Sequence, residues 1–129
     1  MIVVETRRRS EIVDITDEVR RRVRESGVNS GIALIYTPHT TSGLIINEAE
    51  SGLIEDIVEA LDEIVPKISF RHNRIDNNAD AHIKASIVGN SVIVPVENSD
   101  LVLGTWQRIL FIEFDGPRRR KVYVRVYEG

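Results

Sequence analysis

Three histidines, His39, His72 and His82, are the only imidazoles of the chain, and each lies in a polar segment with small or acidic neighbours. Imidazoles beside carboxylates form a ligand set that suits Zn²⁺ or a similar divalent ion, with a coordination position left for water or substrate. Their spacing matches no compact metal motif such as H-E-x-x-H. The sequence therefore predicts either a metal site or histidines that simply face solvent.

The stretch "YTPHTTSGLIINE", residues 36–48, surrounds the first histidine with hydroxyl groups. The hydroxyl and backbone N–H groups after His39 suit an oxyanion, and they belong to Thr40, Thr41 and Ser42. Glu48, at the end of the next apolar run, is a candidate ligand or general base, or else a carboxylate at the start of a surface helix. No G-x-S-x-G motif surrounds the serine, which disfavours a serine hydrolase.

A second candidate site lies at the start of a predicted short helix, residues 80–88, which contains His82 in its first turn. The free N–H groups of such a turn, with Lys84 close by, could hold a phosphate. A plain helix start capped by Asp80 is the other interpretation.

The stretch "LGTWQ", residues 103–107, contains the only tryptophan, Trp106, followed by Gln107. A lone tryptophan is more often part of the core, but its flanking glycine and polar residues indicate a constrained loop. The run "RRRK" at 118–121 could contact phosphate, or be the solvated end of a strand.

The elements that must position these residues are mostly strands. The apolar or alternating runs are "MIVVETRR", "GIALIYT", "SGLIINE", "SVIVPVE", "RILFIEFD" and "KVYVRVY". The second and third of these are predicted to pair antiparallel around the His39 turn. Helices are predicted over 15–27, capped by Thr16 and ended by Gly27, and over 51–64, with one apolar face packed on a sheet.

The composition sets the broad class of the protein. The 129 residues, 42% of them hydrophobic, are enough for one domain, residues 1–129, with a real core. A net charge of −3 gives no general basic excess for nucleic acid, and no apolar run approaches the length of a membrane span. The absence of cysteine excludes disulfides and thiolate chemistry, and the N-terminal charge order is the reverse of a signal peptide, so a cytoplasmic location is expected.

Five blocks taken together resemble a known family. They are "HTTSGLIINE", "DAHIKAS", "GNSVIVPVE", "LGTWQ" and "EFDGPRRRKV", and in this order they resemble the YjbQ family, also called secondary thiamine-phosphate synthase enzymes. The resemblance implies an α+β, β-rich fold, an antiparallel or mixed β-sandwich of jelly-roll type with two longer helices and one short helix. It also implies a homotrimer, while the charge balance and the short apolar runs predict no nucleic-acid or membrane partner.

The resemblance further implies a site and an activity. His39, His72 and His82 match three histidine positions of the family and would hold a divalent metal ion, zinc or magnesium. Many members have a histidine where this chain has Asp80, so a four-histidine site is not expected. The family name implies a transferase that joins a pyrimidine-methyl pyrophosphate to a thiazole phosphate, giving thiamine phosphate and pyrophosphate.

Roles for the individual residues follow from that implied chemistry. His39, Glu48 and His82 would be catalytic, and the groups that bind the phosphorylated substrate would be Thr40, Thr41, Ser42, Lys84, Trp106 and Gln107. Two alternatives from other classes are a metal-dependent hydrolase of a small phosphorylated or amide substrate and a non-catalytic trimeric module that binds a small anion.

Overall fold

A computed structural model describes residues 1–129 as eight strands and three α-helices. The strands are β1 (Ile2–Glu5), β2 (Glu11–Asp14), β3 (Gly31–Tyr36), β4 (Ser42–Asn47), β5 (Ser91–Glu97), β6 (Asp100–Leu101), β7 (Arg108–Glu113) and β8 (Arg119–Glu128). The helices are α1 (Thr16–Ser26), α2 (Ser51–Ile64) and α3 (Ala79–Val88), with one 3₁₀ turn, Arg71–Arg74, before α3. None of the helices has the length and apolar character that crossing a membrane requires.

The strands form two sheets whose inner faces share one core. The five-stranded sheet has the order β1-β8-β3-β5-β6 and the three-stranded sheet has the order β2-β7-β4, with every pair antiparallel. Ile35 of the first sheet, Phe111 of the second and Val19 of α1 belong to the same buried cluster. The predicted β-rich α+β fold with a sandwich-like arrangement of antiparallel sheets is therefore confirmed.

The predicted pairing of β3 with β4 is wrong. Both edges of β3 are occupied, because Tyr36 lies opposite Ser91 of β5 on one side and Tyr123 of β8 on the other. β4 pairs instead with β7, and the turn between β3 and β4 crosses from one sheet to the other. The His39 turn is thus a connection between the two sheets.

Two predicted helix caps are also wrong. The Asp14 carboxylate accepts the Thr16 N–H at 3.0 Å and the Thr16 hydroxyl at 2.6 Å, while Thr16 itself is buried and accepts the Ile109 N–H at 2.8 Å. The residue before α3 is Asn78, so Asp80 lies inside the helix and does not cap it. Gly27 ends α1 as predicted, in the left-handed conformation with φ of 73°.

The helix α2 covers the three-stranded sheet only in part. The Glu50 carboxylate caps it by accepting the N–H groups of Gly52 and Leu53 at 2.7 and 2.9 Å. Leu61 packs on a small cluster that includes Ile112, but no residue of α2 is fully buried. The helix bounds match the prediction, whereas its apolar face is half-buried within one chain.

Candidate functional site

A cleft lies where the turn between β3 and β4, the start of α3 and the turn between β7 and β8 meet. It consists of two adjoining depressions of about 470 and 520 Å³, both lined by His39 and His82. The first, here the neutral lobe, also reaches Ser86 of α3 and Asn90, two residues after that helix. The second, here the charged lobe, is lined by Asp76, Asp115, Arg118, Arg119 and Arg120. We call the two lobes together the histidine cleft.

His39 is held by the backbone of β8. The pairing of β3 with β8 stops at Tyr36 opposite Tyr123, and Pro38 has no N–H to extend the strand. Beyond that point the His39 ring replaces a strand as the hydrogen-bond partner of β8, because its Nε2 accepts the Lys121 N–H at 2.9 Å. An imidazole nitrogen that accepts a hydrogen bond carries no proton, so the neutral ring carries its proton on Nδ1. No protein group bonds that Nδ1–H.

The surroundings of His39 favour this neutral form. Partial burial lowers the pKa of His39 below its ordinary value, and the Arg120 guanidinium lowers it further, against an opposing effect of Glu113. A lowered pKa leaves the ring uncharged at neutral pH. His39 therefore presents one N–H donor to the cleft.

A chain of hydrogen bonds from Asp115 through Asn78 to His72 fixes the side chains that surround His82. The Asn78 amide nitrogen donates to Asp115 Oδ2 at 2.8 Å, so its oxygen is the atom that meets His72 Nε2 at 3.0 Å. Asp115 thus fixes the orientation of the Asn78 amide. Because the amide oxygen then faces His72, the His72 proton lies on Nε2. The His72 ring stands edge-on to His82 with centroids 4.7 Å apart and an interplanar angle of 77°. No protein group bonds the His82 ring.

A buried ion pair forms the floor of the charged lobe. Arg120 donates from Nε to Glu113 Oε1 at 2.8 Å, and its Nη2 donates to a second Glu113 oxygen and, at 2.7 Å, to Thr41 Oγ1. Glu113 also accepts the Thr6 hydroxyl at 2.8 Å and the Asp115 N–H at 3.1 Å. The pair therefore ties the His39 turn to the β7–β8 turn and to the end of β1.

The charge on Glu113 is stabilised by these bonds. Burial alone would raise the pKa of Glu113, but the hydrogen bonds from Arg120, the Asp115 N–H and Thr6 hold it below its ordinary value. Sequence reasoning missed this pair. The signal was an acidic residue inside the otherwise apolar run "ILFIEF", because an unpaired carboxylate is rarely placed in a buried strand.

Lys84, predicted to bind phosphate, does not line the cleft. It is buried, its Nζ is paired with Asp62 of α2, and Asp80 Oδ2 lies 3.8 Å away. Asp80 in turn binds the Arg9 guanidinium through two hydrogen bonds of 3.0 and 3.1 Å. This network of charges fixes α3, and so His82, against α2 and the β1–β2 loop. Lys84 thus supports the site without touching a ligand.

Three predicted site residues, Glu48, Trp106 and Gln107, lie at the other end of the three-stranded sheet. Their turns adjoin the pair Asn47–Arg108, whereas the His39 turn adjoins Ser42–Glu113. Five steps of about 3.4 Å separate the two ends by roughly 17 Å. Trp106 is 71% exposed, and the Gln107 side chain bonds only the Gly104 N–H, at 2.8 Å. One chain therefore does not bring these residues to the histidines.

The hydroxyl groups of the His39 turn divide into bound and free ones. Thr41 is buried beneath the turn and accepts from Arg120, and Ser42 is buried and bonded to Thr37 at 2.8 Å. Thr40 alone is exposed, and it lines both lobes. Of the predicted oxyanion donors, Thr40 is the one whose hydroxyl makes no hydrogen bond to the protein.

The residues do not fit the predicted three-histidine metal centre. No group of three or more histidine or carboxylate side chains in the chain is arranged to hold a metal ion. His39 Nε2 is occupied by the Lys121 N–H and its Nδ1 carries the proton, so neither nitrogen of this tautomer has a free lone pair. The expectation of a zinc site on His39, His72 and His82 is corrected accordingly. The expected use of zinc or magnesium as a cofactor stays a prediction, which dialysis against EDTA tests.

Comparisons with known proteins agree over the whole chain. A family model described as UPF0047 protein YjbQ-like matches residues 1–129. A UPF0047 protein of Archaeoglobus fulgidus is 55% identical over 96% of this chain and 97% of its own. The UPF0047 protein YugU of Bacillus subtilis is 46% identical over 95% and 94%. The crystal structure of a YbjQ-like protein of unknown function from Sulfolobus solfataricus P2 has a TM-score of 0.97 at 43% identity, covering 99% and 94%.

These relatives overturn the expected activity. Their descriptions name neither thiamine-phosphate synthesis nor a metal-dependent reaction, and the Sulfolobus protein is described as having unknown function. The prediction of a metal-assisted thiamine-phosphate synthase is therefore wrong, and the family is one with no named catalytic activity. On the match of its full length, this chain belongs to the UPF0047 family of YjbQ-like proteins.

Proposed function

We propose that this protein acts in the cytoplasm as a metal-independent acid–base enzyme on a small phosphorylated metabolite bound in the histidine cleft. The observation that carries the proposal is the hydrogen bond that His39 Nε2 accepts from the Lys121 N–H, because it leaves the Nδ1–H of the neutral ring as a donor in a cleft that His82 also lines. A neutral imidazole can polarise a ligand oxygen by donating a hydrogen bond to it. The neighbouring ring can then take up a proton and return it.

The two histidines are suited to different roles. His39 cannot act as a base through Nε2, because that nitrogen accepts the Lys121 N–H. The His82 ring is held edge-on by His72, and its own nitrogens make no hydrogen bond to the protein. His82 is therefore the group that can accept a proton from a hydroxyl or an acidic C–H of the ligand, while His39 stabilises the oxygen on which charge develops.

The charged lobe supports a phosphorylated ligand. Arg119 is exposed and forms no ion pair, although Glu5 lies opposite it in the β1–β8 register. Arg118 forms an ion pair with Asp115 at 3.2 Å, and Arg120 forms one with Glu113. Arg119, the Thr40 hydroxyl and the His39 Nδ1–H remain as donors for phosphate oxygens. Asp76, in the same lobe, disfavours a second anionic group.

Deuterium exchange gives a direct test of the chemistry. Dihydroxyacetone phosphate, glyceraldehyde 3-phosphate and ribose 5-phosphate, each with an acidic C–H beside a carbonyl carbon, are incubated in D₂O with protein dialysed against EDTA, and incorporation of deuterium at carbon is followed by NMR. We expect the dialysed protein to catalyse incorporation into at least one of them, His82→Gln to abolish it and Trp106→Ala to leave it unchanged. Activity that requires an added divalent ion, or no incorporation into any of the three, would contradict the proposal.

We also propose that copies of the chain assemble through the outer face of the five-stranded sheet, as the homotrimer that the resemblance implies. Ile32, Ile93 and Tyr127 lie on neighbouring strands of that face and are 42%, 60% and 52% exposed. Contiguous apolar surface of this kind is typical of protein interfaces. Light scattering at micromolar concentration should give three times the chain mass, and Ile93→Lys should lower it. A monomeric wild type would contradict the proposal.

A further inference from the structure

The two lobes of the histidine cleft differ in charge, and this difference bears on what the ligand contains. The charged lobe carries three arginines and two aspartates. The neutral lobe carries no acidic or cationic side chain apart from the shared histidines, and only two of its eleven lining residues are hydrophobic. Ligand pockets are usually lined mainly by apolar side chains. A polar but uncharged pocket is suited to a ligand rich in hydroxyl groups.

Several polar groups of the neutral lobe have no partner within the protein. The Tyr36 and Thr40 hydroxyls and the Asn90 side-chain amide make no hydrogen bond, although each lines the lobe. The Ser86 hydroxyl donates to the His82 carbonyl at 2.9 Å and can still accept. The Thr37 and Ser42 hydroxyls differ, because they are buried and bonded to each other. The lobe thus offers both donors and acceptors to a ligand.

The position of the lobe is set by a close approach between β4 and α3. A Cβ on Gly43 would lie 2.6 Å from Val88 Cγ1 and 3.0 Å from the Gly89 carbonyl oxygen. Glycine at this position lets the end of α3 approach the strand, where the Leu44 N–H donates to Gly89 O at 3.2 Å. The Thr37 N–H donates to Asn90 O at 2.9 Å, which fixes the segment that carries the Asn90 amide. The segment that carries Asn90 is therefore held by backbone hydrogen bonds to β4 and to the residue after β3.

We infer that the ligand of this cleft is a sugar monophosphate, an inference that rests on the function proposed above. Its phosphate lies in the charged lobe at Arg119, and its hydroxylated chain or ring lies in the neutral lobe at Asn90 and Ser86. The two lobes share His39, Thr40 and His82, so the carbon next to the phosphorylated end lies between the imidazoles. The neutral lobe is the part of the site that distinguishes this ligand from inorganic phosphate.

Calorimetric titration with three probes tests the inference. The probes are ribose 5-phosphate, inorganic phosphate and ribose. We expect ribose 5-phosphate to bind about tenfold more tightly than inorganic phosphate, the gain expected from one or two net hydrogen bonds. Asn90→Ala should remove most of that gain while leaving the affinity for inorganic phosphate unchanged. Arg119→Ala should weaken both phosphates, and Gln107→Ala, at the far end of the sheet, should change neither.

The outcomes separate this inference from the proposed function. Equal affinities for ribose 5-phosphate and inorganic phosphate, or an Asn90→Ala variant that loses nothing, would overturn the sugar-phosphate inference and leave the phosphate site intact. Failure of both phosphates to bind would overturn the proposed function together with it. Ribose that binds as tightly as ribose 5-phosphate would show that the phosphate contributes nothing and would also overturn the inference.

Discussion

The two ends of the three-stranded sheet carry equally distinctive sequence motifs but have different structures. At the His39 end, residues from three separate parts of the chain converge on one cleft, over the buried pair of Glu113 and Arg120. At the Trp106 end, the tryptophan is exposed and Gln107 bonds only its own loop. The first end is supported by a fully buried ion pair, whereas the ion pairs at the second end, from Arg108 to Asp14 and Asp17, are partly exposed.

The difference shows that a distinctive motif is not sufficient evidence for a site. A binding group must be held in a fixed geometry by its neighbours, and those neighbours are distant in the sequence. Thr41 and Arg120, bonded at 2.7 Å, are separated by 79 positions along the chain. The comparison therefore predicts that changes beneath the His39 end disturb both stability and binding, whereas changes at the Trp106 end disturb neither.

The largest effect is expected for Glu113→Ala, which leaves the buried Arg120 guanidinium without its partner. Breaking a buried ion pair by removing one member costs about 3–5 kcal/mol of unfolding free energy. Urea unfolding followed by circular dichroism measures this loss. Glu48→Ala, at the other end, is the matched control and should change the free energy by less than about 0.5 kcal/mol. Comparable losses of unfolding free energy in the two variants would show that the two ends of the sheet do not differ in buried support.

The same carboxylate gives a pH dependence of stability. The pKa of Glu113 in the folded protein is below its ordinary value near 4.5. Its contribution is therefore fully present above that value and is lost as pH falls from about 4.5 through the folded pKa. Glu113→Gln should unfold with a weaker dependence on pH over this acidic range. An identical acid unfolding profile for the two proteins would show that Glu113 is not ionised in its pair.

A smaller loss of stability is expected for His39→Ala, together with the loss of phosphate binding. The variant frees the Lys121 N–H, which is exposed enough to bond water, so the cost is about 0.5–1.5 kcal/mol. His39→Gln keeps an acceptor for that N–H and should recover most of the stability. Calorimetry with inorganic phosphate and urea unfolding measure the two effects. His39→Ala that binds phosphate like the wild type would remove His39 from the site.

The smallest effects are expected at the Trp106 end. Trp106→Ala removes a side chain that is 71% exposed, and substitutions of this kind change stability by less than about 0.5 kcal/mol. The affinity for inorganic phosphate should also stay unchanged in a single chain. In a trimer, however, a neighbouring copy could bring its own Trp106 to the cleft. A tenfold loss of affinity in Trp106→Ala would therefore show that the site is shared between copies. The two ends of the sheet would then both contribute to binding.

The sequence predicted local structure well because each element carries its own pattern. The alternation in β8, the four-residue stripe of α1 and the apolar face of α2 are visible over one element at a time. Partner choice was not predictable in this way. β3 and β4 are joined by a short turn and still lie in different sheets, because β5 and β8 already occupy both edges of β3. The four-residue β2 was too short to be recognised.

The candidate site was predictable in part for the same reason. Polar residues around His39 and His82 stand out in the sequence, but the state of each ring depends on atoms supplied by other segments. The backbone N–H of Lys121, 82 positions away, donates to His39 Nε2 and so leaves the ring proton on Nδ1. A backbone donor cannot be recognised from the pattern of side chains in the sequence. Lys84 looked available at a helix start, although Asp62 and Asp80 bind it in the interior.

The central claim is that His39 is a neutral donor at the ligand-binding end of the molecule. A ¹⁵N–¹H NMR titration of the histidine rings, with and without inorganic phosphate, tests it most directly. Because the folded pKa of His39 is lowered from 6.5, the ring should titrate below that pH, and stability should fall as pH drops through this range. We predict a proton on Nδ1 and a phosphate-induced shift of the His39 and His82 resonances. A proton on Nε2, a midpoint at or above 6.5, or a phosphate response confined to Trp106 would contradict it.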